Sequence, residues 1–142
     1  MFHPEPLSLL AMDEEDLGVI SAALQDAIAH VGDIIFEPNS KRLTVVFNRY
    51  RWEANGGSRV RSALQLGYVQ SVQVRNVRRT PKDAAIDLLS LDFKSGAEVP
   101  AGSLVMTFAG GGNLRAEVEC IDAVLADVSE PWPTRRRPAH RD

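Results

Sequence analysis

Along residues 13–31 apolar side chains recur at Leu17, Ile20, Leu24, Ile28 and Val31, with Ala23 and Ala27 on the same side. Steps of three and four place them on one stripe and predict an amphipathic helix. Asp13 is positioned to cap its start. Glu14, Glu15 and Asp16 complement the positive end of the helix dipole, and Gly32 stands where a helix commonly stops. The same physics accounts for the whole DEED cluster without invoking a metal or a reaction. Ahead of the helix, Leu7 to Met12 reads as a short strand or an apolar arm.

Beyond the helix the pattern turns to β. Strands are expected over 33–37, 42–52, 59–66, 69–77, 85–93, 103–108 and 114–119. They are separated by Pro38-Asn39-Ser40, by Asn55-Gly56 in a hairpin loop, by a break near Gly67, and by further Gly- and Pro-containing turns. Val118, Ile121, Leu125 and Val128 are spaced like a closing helix, although alternation could also carry the preceding strand further. The connections are too short for parallel crossovers. The expected fold class is α+β: an N-terminal amphipathic helix, then about seven mostly antiparallel strands in a curved sheet or partly open barrel, closed by a C-terminal helix. That element order resembles pleckstrin-homology-like domains. A single domain is expected over 1–133, followed by a basic tail over 134–142, extended or disordered, with Trp132 packing back on the domain.

A chain of 142 residues, 44% hydrophobic and 25% charged, suits one soluble globular domain. Cys120 stands alone, so no internal disulfide forms, and a reducing compartment fits. The N-terminus has no basic, apolar signal pattern, and no apolar run approaches the ~20 residues of a membrane span. Cytoplasmic residence is the expectation.

Net charge is −3, but its distribution is uneven. Residues 1–40 carry −8, residues 41–82 carry +9, residues 83–128 carry −6 and residues 129–142 carry +2. Such segregation implies an anionic partner or internal charge matching. Within the basic middle, Arg49 and Arg51 alternate on one strand and continue the face of Leu43, Val45 and Phe47. Arg59 and Arg61 do the same on the next strand. If the hairpin pairs about Asn55-Gly56-Gly57, all four could lie on one side, with Tyr50 and Trp52 on the other. Arginine forks suit phosphate and carboxylate. Arg49, Arg51, Arg59, Arg61 and Trp52 are therefore the candidate binding residues, with Lys41, Arg42, Arg75, Arg78, Arg79 and Lys82 extending the field. The alternative is a solvated hairpin end, or arginines paired with the chain's own acids.

Other candidates carry less. Gly110-Gly111-Gly112-Asn113 lacks the lysine and following helix of a phosphate loop and reads as a turn. Cys120 falls on the apolar side of its strand and reads as a structural thiol. His3, His30 and His140 have no zinc-ligand spacing with it. No catalytic residue, metal site or cofactor is expected. Nucleic acid is not expected either, since no reader motif accompanies the basic segment and the pI is about 5.6.

Lys41…Arg49-x-Arg51 is similar to the basic first hairpin of phosphoinositide-binding pleckstrin-homology domains. It departs in placing its bases along one strand, so lipid specificity does not carry over. A broader resemblance rests on "LLAMDEEDLGVISAALQDAIAHVGDI", "FNRYRWE", "TFAGGGNLRAEVECIDAVLADVSEPW" and "RPAH". These stretches resemble an uncharacterised, mainly alphaproteobacterial family of short proteins, the domain of unknown function numbered 2948. The resemblance implies a stand-alone cytoplasmic domain and supplies no ligand or site residue. The expected function is a non-enzymatic binding or interaction module using the basic hairpin for an anionic ligand or an acidic protein surface. Two alternatives stay open. One is a structural homo-oligomer matching the basic middle to the acidic helix; the other is an enzyme whose site only the fold assembles.

Overall fold

A computed structural model describes residues 6–78, 81–135 and 137–138. The order is β1 (Ser8–Ala11), α1 (Glu14–Ala23), β2 (Ile28–Glu37), β3 (Arg42–Tyr50), β4 (Ser58–Leu66), β5 (Val69–Arg75), β6 (Ala85–Ser95), β7 (Gly102–Phe108), β8 (Asn113–Val118), β9 (Ala123–Asp127) and β10 (Trp132–Pro133). The strands form one antiparallel sheet in the order β1-β9-β4-β3-β2-β6-β7-β8-β5, with β10 continuing beside β4.

This corrects the expected α+β fold with a closing helix. The molecule is mostly antiparallel sheet, with ten strands and one short helix among the described residues, and the pleckstrin-homology-like arrangement falls with the closing helix. Where that helix was expected, Ile121, Ala123 and Leu125 are buried at a period of two. Ala123 and Leu125 belong to β9, which Ile121 precedes and whose backbone is hydrogen-bonded on both sides, by β1 and by β4. A strand ladder on each edge outweighs a helical spacing of four apolar residues.

The N-terminal helix starts as expected. The Asp13 side chain accepts the Asp16 N–H at 2.8 Å, and Leu17 and Ile20 are buried on the core side. It stops eight residues before Val31. Asp26 turns the chain with φ of 61°, and its N–H donates to Leu88 O. Ile28, Val31, Ile34 and Ile35 then serve as β-branched strand residues, with Ile28–His30 pairing Ala85–Asp87 of β6. The register of β2 against β3 breaks between Ala29 and Ile34, and this bulge absorbs Gly32.

The sheet curls because its chain order demands it. Only Gly67 and Tyr68 separate β4 from β5, yet these strands lie third and last in the sheet order. Gly67 donates its N–H to Asp122 O at 2.9 Å, and an added Cβ would run into the Asp122 carboxylate. Tyr68 completes the turn with φ of 54°. One apolar cluster fills the inside of the curl, with Leu43, Val45, Phe47, Leu64 and Leu125 from one half meeting Leu91, Leu104, Met106 and Leu114 from the other. The helix seals it by burying Leu17, Ile20 and Leu24 against the same cluster.

Candidate functional site

The β3–β4 register divides the four candidate arginines. Arg49 is opposite Val60, while Tyr50 is opposite Arg59 and Asn48 opposite Arg61. Arg49 therefore faces inward with Leu43, Val45 and Phe47, and Arg59 and Arg61 face outward. They do not form one cluster.

Arg49 is fully buried. Its Nε donates to Ser62 Oγ at 3.0 Å and to Asp127 Oδ1 at 3.1 Å, and its Nη2 reaches Asp127 Oδ2 at 3.1 Å. On the other side, Nη1 and Nη2 grip Glu53 at 3.0 and 2.8 Å. Ser62 Oγ in turn donates to Asp127 Oδ1 at 2.6 Å, and the Leu7 N–H donates to Asp127 Oδ2 at 2.8 Å. Burial works against the charge of Arg49. Hydrogen bonding to Glu53 and the charges of Asp127 and Glu53 outweigh it, so its pKa lies above the ordinary value. Every face of this guanidinium is committed to the fold. Arg51 is buried as well, its Nη1 donating to Ser58 Oγ at 3.1 Å.

Trp52 turns back over the helix end. Its Nε1 donates to Gln25 O at 3.4 Å, its ring meets Tyr50 edge-on at 4.8 Å, and Arg137 stacks 5.3 Å from it. Thr134 donates its N–H to Gly57 O, which ties the start of the tail to the same hairpin. Arg79 and most of the remaining tail, including His140, lie outside the described residues, as does His3.

Arg59 and Arg61 lead to the outer face of β1, β9, β4, β3 and β2. One cross-strand row runs Leu10, Val124, Gln65, Thr44, Ile35. The next runs Ser8, Ala126, Ala63, Val46. Neither row carries a charge, and Leu10 and Ile35 are 59% and 53% exposed. At one end a third row brings Arg61 beside Asn48, Ile28 and Asp87. Arg59 Nη1 donates to Asn48 O at 3.2 Å, whereas the Arg61 guanidinium has no partner among the described residues. A 200 Å³ hollow beside Arg61 contains His30 and Asp33, with Nδ1 of the first 3.8 Å from Oδ2 of the second. Asp87 keeps a buried Oδ1 without a hydrogen bond; burial first, and then Asp26, raise its pKa, with Arg59 opposing. At the other end of the face, a 470 Å³ cleft lies between Lys41, Arg42, Tyr68, Glu119 and Asp122, with Lys41 paired to Glu119 at 3.5 Å.

The second half-sheet has its own polar outer face. A 340 Å³ groove there is lined by Gln73, Arg75, Lys94, Val105, Asn113, Arg115 and Glu117. Lys94 and Arg115 are the two bases of the acidic 83–128 segment, so a count by segment conceals them. Alternation shows that each points outward. That they share a groove with Arg75 depends on β6-β7-β8-β5 pairing, which the sequence does not display.

Gly110 and Gly111 take φ of 91° and 95° in the β7–β8 turn, a region open to glycine. Cys120 is half-buried, and burial, then Asp122 and Glu119, push its thiol pKa up. Among the described residues no group of three His, Cys, Asp or Glu could hold a metal ion, and no helix is long and apolar enough to cross a membrane.

No curated protein and no solved structure matches the chain. The profile of the family described as protein of unknown function DUF2948 matches residues 7–140. That span takes in both half-sheets, the Arg49 network and both outer faces, and the chain belongs to this family.

Proposed function

We propose that the chain is a non-enzymatic interaction module that docks a partner protein on the outer face of β1, β9, β4, β3 and β2, with an acidic group of the partner meeting Arg61. The supporting observation is the pair of uncharged rows, one across five strands and one across four. A sheet face open to water ordinarily alternates in polar residues; here it offers Leu10, Val124, Ile35, Ala126, Ala63 and Val46. An apolar centre with an arginine at its rim is the make-up of an interface. The patch spans about 20 Å across five strands and about 14 Å along them from the first row to Arg61, so it fits the smaller, transient class of complexes. A homo-oligomer joining the basic middle to the acidic helix has less support, because Arg49 and Arg51 are occupied within the fold.

The test is photo-crosslinking in the source cells, with benzoylphenylalanine at Val46 or Ala126 and a control at Gln73 on the other half-sheet. A discrete adduct from the first two positions, absent from the control and weakened by Arg61→Glu, is the expected result. An adduct containing only a second copy of the chain, or none, would overturn the reading.

A further inference from the structure

The groove on the outer face of β6, β7, β8 and β5 lies on the half-sheet that the docking proposal does not use. Lys94 is on β6, Arg115 on β8 and Arg75 on β5. The pairings Lys94–Ser103, Ser103–Glu117 and Glu117–Ser71 define one row, and Arg75 lies four residues beyond Ser71. Lys94 and Arg75 thus stand at opposite corners, about 14 Å apart across the strands and about 13 Å along them, with Arg115 between.

Arg75 and Lys94 have no side-chain partner among the described residues. Arg115 is held by Glu117, Nε to Oε1 at 2.8 Å, and donates to Ser103 Oγ at 3.2 Å. Glu117 also accepts from Ser103 Oγ at 2.9 Å. The pair therefore fixes the central guanidinium on the groove floor. Gln73 and Asn113 flank it and add amide donors, while Asp92, opposite the lining residue Val105 in the register, places a second carboxylate beside the lining.

Three cations outnumber the two carboxylates, Glu117 in the lining and Asp92 beside it, and with the neutral amide donors form a site for an anion. The volume of 340 Å³ falls in the range of small-molecule sites. None of the lining residues is aromatic, so nothing there would stack on a base or ring. Recognition would fall on the anionic groups, and their spread favours a ligand with several of them.

We infer that this groove binds a small polyphosphorylated ligand, its phosphates bridging Arg75, Arg115 and Lys94. Glu117 limits the affinity: it holds Arg115 in place and repels the same phosphates.

The probe is inorganic tripolyphosphate at constant ionic strength, followed by amide chemical shifts of the full chain. Saturable shifts confined to residues 73–75, 94 and 113–117 are expected. Arg75→Gln with Lys94→Gln should weaken binding about tenfold or more, as loss of charge-assisted hydrogen bonds does. Arg42→Gln with Arg61→Gln removes the same charge elsewhere and should leave it unchanged. Glu117→Gln should tighten it, and by more than Glu37→Gln, which removes the same charge away from the groove. Shifts spread over the surface, equal losses in both double variants, or displacement by an acidic peptide at lower concentration than tripolyphosphate would each overturn the assignment.

Discussion

Arg49 and Asp127 are 78 residues apart in the chain and share two hydrogen bonds of 3.1 Å, Nε to Oδ1 and Nη2 to Oδ2. The contact joins β3 to β9 through the wall of the core. Both side chains are almost wholly out of water, at 0% and 5% exposure. Arg49→Met would leave Asp127 buried and unmatched, which costs about 3–5 kcal/mol in urea unfolding. Asp127→Asn should cost less, because Arg49 keeps Glu53. Arg49→Lys should not restore the loss, because an ammonium cannot span both carboxylates.

Acid should act on the same network. Burial raises the cost of ionising Glu53, but the hydrogen bond from Arg49 prevails and its pKa falls below the ordinary 4.5. A depressed carboxylate stabilises the fold above its unfolded pKa, and that stability is lost as pH falls through the folded value. Stability should therefore drop as pH goes below about 4.5, and Glu53→Gln should flatten that drop.

Asp87 carries the opposite sign. Its pKa is raised, by burial and then by Asp26, so ionisation opposes folding. Stability from this group should rise as pH falls through its folded pKa, and Asp87→Asn should stabilise the protein at neutral pH. Thermal melts of the variant at pH 7 and at pH 4 separate the cases: a gain at pH 7 that shrinks at pH 4 is expected.

The β4–β5 turn gives a steric prediction. Gly67→Ala would drive its Cβ into the Asp122 carboxylate. Overpacking of this kind costs about 1–3 kcal/mol. Asp122→Ala in the same chain should recover most of that loss, and a double-mutant cycle in denaturant measures the coupling.

Cys120 should alkylate slowly at neutral pH. Burial, then Asp122 and Glu119, disfavour its thiolate, and the thiolate is the reactive form. Asp122→Asn should speed the reaction with iodoacetamide, whereas an unchanged rate would show that access alone limits it.

Some of this architecture was legible residue by residue. Asp13 and the acids after it mark the helix start, since capping is local chemistry. Its end was not legible, because Ile28 and Val31 satisfy a helical spacing and a strand equally, and only pairing with β6 decides between them. The C-terminal segment misleads for a related reason. Ala123 is too small to register as the middle of an alternation from Ile121 to Leu125, so the wider spacing to Val128 stands out. The arginines teach a sharper lesson. Alternation does place Arg49 on the face of Leu43, Val45 and Phe47, and that face is the core. Charge alone suggested solvent, but Glu53 and Asp127 make burial tolerable, and Asp127 comes from the far end of the chain. Lys94 and Arg115 were hidden by the reverse error, since they sit in an acidic segment and meet Arg75 only across strands.

The placement of β9 between β1 and β4 has a consequence for synthesis. On a ribosome, β1 and β4 emerge long before the strand that joins them. Until residue 127 is available, both keep an open edge, and Arg49 has no Asp127. The N-terminal half therefore cannot complete its own sheet, and the last strands to be made close the first. A chain cut short after β8 would present two unpaired strand edges and a buried cation lacking one of its two carboxylates, a product suited to degradation rather than to partial function.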